Sequence, residues 1–364
     1  MARAPLIADL RAAAEQVLQH FRGPRSRTSA ALSTVRAQSS PGFEVDCSLR
    51  SEWLDPELTF PLPDWNRIAT WIASFPPSKH HELWCGVTRQ WALRIAKSFG
   101  GCNVFETANV LAVLPGDLGR GKRAVKHYDE VLATLRSTLQ GMLRDEYLGK
   151  CTLLVAPDED TYYRYLSLYT APGEHIQSGG VHLDRGNSHI ALPSPESMFH
   201  TRVIAHEMCH DLLGHHRIPL WLNEGVTQIA EAAIAGRPFV EGHSKTIPEH
   251  RAFWTPDNTA LFWSGKGFDT PGETSAFSYD LAYLVVQAFL ALDRPSMAAV
   301  VRRASPDDAG FAAFSEVYGQ TPADLLAELF GPGNWGNRHA PAVELPAHLQ
   351  HGRNSADPAG QLIL

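Results

Sequence analysis

The residues best suited to chemistry lie together in HEMCHDLLGHHRIPLWLNEG, His206 to Gly225, which holds four histidines, three carboxylates and a cysteine. A helix advances about 100° per residue, so His206 and His210 fall one turn apart and within roughly 40° of each other. Both imidazoles can then reach one ion. Glu207 sits beside them, about 60° from His210. That placement suits a carboxylate that takes a proton from a water on a metal without ligating the metal itself, the mechanical meaning of HExxH on a helix.

A third ligand requires the chain to return. Gly214 can end the first helix and Pro219 can open a second, and LWLNEG on that second helix brings Glu224 back toward the two histidines. Two imidazoles and one carboxylate form a catalytic zinc set with a position left for water, whereas structural zinc sites generally use four protein ligands and favour cysteine. Zn2+ held by His206, His210 and Glu224, with Glu207 as general base, is the expected site. Cys209 lies on the far side of His206 from His210 and reads as core filling. Asp211 and Asn223 could orient a ligand by a hydrogen bond, face solvent or cap a turn. His215 and His216 belong to the turn. His182, His189 and His200 could contact substrate or be ordinary hydrogen-bonded histidines, and KHHELWC, Lys79 to Cys85, reads as structural.

The elements that must position these groups follow from periodicity. After an amphipathic opening, GPRSRTSAALSTVRAQSSPG has the composition of a linker, so residues 1–42 read as a helix and mobile arm. Residues 43–101 form an accessory helical segment in which Leu83, Val87, Trp91 and Ile95 share a side. NVFETANVLAVLP reads as a strand, residues 124–143 as a long helix, CTLLVAP as a buried strand, DEDTYYRYLSLY as a helix with an acidic start, and GGVHLDRGNSHIALP as a hairpin. Residues 198–236 are helical apart from GHHRIP, further helices are expected at 278–292 and 322–330, and residues 332–364 read as an irregular tail.

Composition narrows the function. With 364 residues, 44% of them hydrophobic, the chain can bury a sizeable core. A net charge of -7 and the lack of a Lys/Arg block argue against nucleic acid or a polybasic membrane surface. The apolar run LAYLVVQAFLAL, 281–292, is too short to span a bilayer, so no membrane anchor is expected. Five scattered cysteines without a CxxC pair favour a reducing, cytoplasmic setting.

HEMCH followed by WLNEG resembles gluzincin metallopeptidases, specifically bacterial peptidase-MA-like domains. The order of elements upstream, and FWSGKGF, SYDLAYLVV and GFAAFSEVYGQTPADLLAELFG downstream, are similar to segments of that family, so the resemblance covers residues 102–331. It implies an α+β zincin-like fold: a small mixed sheet, an HExxH helix and a helical C-terminal part. It also implies a zinc peptidase acting on a peptide or protein substrate, with HIALP (His189 to Pro193) as the substrate-binding strand and Tyr279, or else Tyr283, as an oxyanion donor. The interval from HExxH to NEG is shorter than in aminopeptidases with these motifs and no GxMEN-like segment is present, so aminopeptidase activity is not implied. A non-catalytic binding or regulatory protein that keeps the scaffold is the alternative.

Overall fold

Three apolar runs lie almost wholly out of solvent and set the centre of the molecule: β2 (Val110–Pro115), β3 (Cys151–Val155) and β5 (His189–Leu192) are buried at every position. With β1 (Cys102–Glu106) and β4 (Val181–Leu183) they form one five-stranded sheet in the order β1-β2-β3-β5-β4. Pairing is parallel for β2–β3 and β3–β5 and antiparallel at both flanks. This computed structural model describes residues 53–54, 58–143, 148–170, 179–214, 216–235, 245–270 and 272–336. The expected helix and linker of 1–42 and most of the tail lie outside them.

Because strand side chains alternate between faces, the sheet is buried on both sides. One face, with Leu111, Val113, Leu154 and Ala191, packs on α1 (Trp65–Ala73), α2 (Pro77–Phe99) and α4 (Glu159–Leu166). Leu83, Val87, Trp91 and Ile95 are all buried there, as their spacing predicts. The opposite face, with Ala112, Leu153, Ile190 and Leu192, packs on α3 (Leu118–Thr138), α5 (Thr201–Leu213) and α6 (Leu220–Ala235). Beyond α6 come α7 (Ile247–Phe253), α8 (Thr259–Trp263), α9 (Lys266–Asp269), α10 (Glu273–Leu292), α11 (Arg294–Arg303), α12 (Phe311–Tyr318) and α13 (Pro322–Phe330). The fold is thus α+β, with a small mixed sheet and a helical C-terminal part.

Several local expectations change. NVFETANVLAVLP is two strands, not one: Thr107 Oγ1 accepts from the backbone N–H of Asn109 and Val110 and turns the chain between them. Helix α3 begins earlier than expected because Asp117 caps it. Gly121 within it lies so close to the Phe105 ring that a Cβ would come within 2.0 Å. The run 281–292 belongs to a 20-residue helix that starts at Glu273, long and apolar enough by length and composition to cross a membrane. More than half of it is buried, and it packs chiefly on α6. Finally, β5 lies between β3 and β4, so HIALP is an interior strand and cannot offer a free edge; among the described residues the edge beside α5 is β4.

The pair α6–α10 carries the densest packing. Gly225 allows it, because a Cβ there would lie 2.6 Å from the Ala282 carbonyl oxygen and 2.5 Å from Val286. Trp221, fully buried against Phe262, Trp263 and Phe314, anchors the start of α6 and donates from its indole N–H to Ala309 O at 3.0 Å. Truncating such a side chain costs about 3–5 kcal/mol. The first residues of the tail dock here too: Trp335 is buried, and its carbonyl accepts from the Trp263 indole.

Candidate metal centre

Helix α5 ends at Leu213, and Gly214 follows with φ -58, so the helix stops without the left-handed glycine conformation. Pro219 then supplies the carbonyl that accepts from the N–H groups of Leu222 and Asn223, starting α6. The intervening turn is tied down by His216, whose Nε2 donates to Met142 O at 2.7 Å. His215 lies outside the described residues. The two helices pack together and return Glu224 to the histidines as the sequence predicts.

His206 Nε2 and His210 Nε2 are 3.1 Å apart. Glu224 Oε1 lies 3.5 Å from His210 Nε2, and Oε2 lies 3.7 Å from His206 Nε2. Taking one atom from each, the three potential ligands lie within 4.8 Å of one another. Around a four-coordinate zinc with bonds of about 2.0–2.1 Å, ligand atoms are separated by roughly 3.3 Å, so the spacing fits.

The hydrogen bonds behind the ligands fix their direction. His206 Nδ1 lies 3.4 Å from Glu231 Oε2, and the other Glu231 oxygen accepts from Arg202 Nε at 2.6 Å. His210 Nδ1 lies 3.1 Å from Asn223 Oδ1 and 3.4 Å from Thr227 Oγ1. With each Nδ1–H donating to an oxygen, both Nε2 atoms turn toward one point, where they share a hydrogen bond at 3.1 Å. The buried Glu224 Oε2 makes no hydrogen bond among the described residues. An acceptor-only pocket of this kind suits a cation.

Protonation follows the same geometry. Burial acts to lower His206, but its hydrogen bond to Glu231 and the charges of Glu207 and Glu224 outweigh it and raise the ring to about 9. Burial and the neighbouring His206 depress His210 to about 3. Burial raises Glu224 to about 7 against the pull of His206. Glu207 is buried, and its charge bears on His206, His210, His182 and Tyr279.

Tyr279 and Tyr283 are separated by their surroundings. The charge on Glu224, then burial and Glu207, hold the Tyr279 hydroxyl well above the usual phenol range, so it remains a donor. Its ring is fixed edge-on to Phe268, centroids 5.0 Å apart. Tyr283 faces other groups: burial and Asp280 push it up to about 12, and its hydroxyl accepts from Gln287 Nε2 at 3.3 Å.

The remaining candidates divide clearly. Cys209 is fully buried and feels Thr227 across the α5–α6 contact, in the core as expected. Asn223 orients His210, and Asp211 is buried rather than facing solvent. His189 is buried on the accessory side, bonded to Tyr165 and Asn187 O, while His200 stays exposed just ahead of α5. His80 bonds to Phe75 O, and Lys79 pairs with Glu82, so KHHELWC is a structural segment of α2. Sequence reasoning missed Glu231. Seven residues beyond Glu224 (231 - 224), it has turned through about 700° and shares the ligand face within roughly 20°; that spacing was the available signal. Neither the protein-family models nor the curated proteins compared with the chain match it.

Proposed function

We propose that the protein is a zinc-dependent hydrolase of peptide bonds with a gluzincin-like site. The observation that carries this reading is the convergence within 4.8 Å of two imidazole nitrogens and the Glu224 carboxylate, one oxygen of which makes no hydrogen bond among the described residues, with a buried glutamate alongside. His206, His210 and Glu224 would hold the ion. A zinc ion so bound supplies Lewis acidity to a carbonyl oxygen and lowers the pKa of a water to about 7.

The chain's own residues do the rest. Glu207 accepts the proton of the attacking water as the new C–O bond forms, then returns it to the nitrogen as the C–N bond breaks, so that the leaving group departs as an amine. Tyr279, kept protonated by the carboxylates around it, donates a hydrogen bond to the oxygen on which charge develops. Glu231, Asn223 and Thr227 keep the ligand rings aimed. Among the described residues β4 is an edge strand, and its outer side offers main-chain groups to an extended peptide.

The test is zinc content and peptide cleavage measured together on the wild type and Glu207→Gln. The variant should keep about one zinc per chain while kcat falls on the order of 10²–10⁴-fold. Zinc binding with no cleavage of any peptide by the wild type would instead favour a non-catalytic binding protein, and absence of zinc from folded wild type would exclude both readings.

A further inference from the structure

A polar chain leaves the metal helix beside His210 and reaches the sheet edge. Asp211, whose side chain is wholly buried, hydrogen-bonds with Cys151 on β3. It also accepts from the Ser188 hydroxyl at 2.5 Å, and Ser188 Oγ lies 2.7 Å from His182 Nε2. A serine has one hydroxyl hydrogen. With that hydrogen on the Asp211 carboxylate, Ser188 Oγ accepts from His182, and Nε2 carries the hydrogen.

His182 is the central residue of β4. It pairs with Ile190, which faces the metal-helix core, so the His182 side chain leaves the edge strand toward α5. Its ring stacks beside His210, centroids 6.5 Å apart and planes 25° apart. The accessory layer grips the same hairpin from the other side: Thr88 Oγ1 donates to Asn187 Oδ1 at 3.2 Å. Gly186, with φ 79, sits so close to Trp65 that a Cβ would come within 2.3 Å of its ring.

We propose that His182, Ser188 and Asp211 form a positioning relay that locks edge strand β4 to the metal helix. It thereby fixes where an extended peptide lies relative to His206, His210 and Glu224. The role in placing peptide rests on the hydrolase reading above; the lock itself does not. A strand of three residues with one neighbour among the described residues is weakly held by its ladder alone. A buried, charge-assisted hydrogen bond is short and directional and adds the constraint that the ladder lacks. Misplacement by about 1 Å is enough to cost a reaction 10²-fold.

The experiment compares wild type with Ser188→Ala and the conservative Ser188→Thr, following hydrogen exchange at the amides of Val181–Leu183 and zinc content. It also follows kcat and KM on a decapeptide and on a blocked dipeptide amide too short to run along β4. In Ser188→Ala, β4 exchange should accelerate and KM for the decapeptide should rise roughly tenfold, with zinc, kcat and the dipeptide amide unchanged. Ser188→Thr should restore the wild-type values. His182→Phe, which keeps a ring against His210 and removes both nitrogens, should repeat the Ser188→Ala result should that variant fold poorly. Unchanged β4 exchange, or equal losses on the long and short substrates, would overturn the relay. A wild type inert toward every peptide, with β4 exchange still accelerated in Ser188→Ala, would sink the hydrolase reading while the lock stands.

Discussion

Two histidine sites lie on opposite faces of the sheet, His189 fully buried and the pair His206 and His210 partly exposed, and they are built to opposite ends. On the accessory face His189 has both nitrogens partnered: Nδ1 donates to Asn187 O at 2.8 Å, and Nε2 accepts from Tyr165 at 2.7 Å, with Tyr169 next in line. On the α5 face the Nδ1 atoms of His206 and His210 are held by Glu231 and Asn223, while their Nε2 atoms lie 3.1 Å apart and beside the Glu224 carboxylate. Residue type is common to both. What separates them is whether each ring is tied at both nitrogens to non-histidine partners or turns its Nε2 toward a second imidazole and a carboxylate.

The sharpest way to break this comparison is to remove a ligand. His210→Ala should abolish zinc binding outright. Thermal unfolding with and without chelator checks this: wild type loses its metal-dependent increment, about 4 kcal/mol at a zinc concentration a thousandfold above Kd, and the variant shows none. His189→Gln should leave zinc binding intact. A smaller effect is expected behind the ligands. Glu231→Gln keeps the shape but weakens the acceptor for His206, and should lower zinc affinity 10–100-fold in a competition titration.

The smallest effect belongs to the accessory cluster and appears as pH dependence. Burial pushes His189 down to about 4 from its ordinary 6.5, so in the folded state the ring stays neutral while the unfolded chain takes up a proton. Between those values the unfolded state binds more protons, and stability falls as pH is lowered from 6.5 toward 4. The difference in unfolding free energy between wild type and His189→Gln should shrink over that window in denaturant titrations. A constant difference would mean that the ring does not titrate as its burial requires.

Much of the site was legible because its signals are local. Helical phase aligns His206, Glu207 and His210, and Gly214 and Pro219 mark a turn that returns Glu224. The 322–330 helix has the ends expected of it, and the structure shows Thr321 and Asp324 forming its capping box. Other features depend on contacts between distant segments. The order β3-β5-β4 decides which strand is the edge, and no period-2 pattern in HIALP carries it. Tyr279 and Tyr283 have the same spacing logic, yet only the packing of α10 against α6 puts Tyr279 in the field of Glu224. Asp211 shares a helix with the ligands, but its partners come from β3 and the β4–β5 turn.

By itself, then, the sequence determined the chemistry on offer: a helix with two imidazoles on one face, a carboxylate beside them, and a turn that makes a third ligand possible. Rise and rotation per residue are properties of the backbone, so this much is fixed before anything packs. Only the tertiary structure decided which imidazoles turned toward a carboxylate, which tyrosine faced the carboxylates and which strand lies at the edge among the described residues. Those outcomes are set by side chains competing for partners across the core, and no single segment contains both sides of that competition.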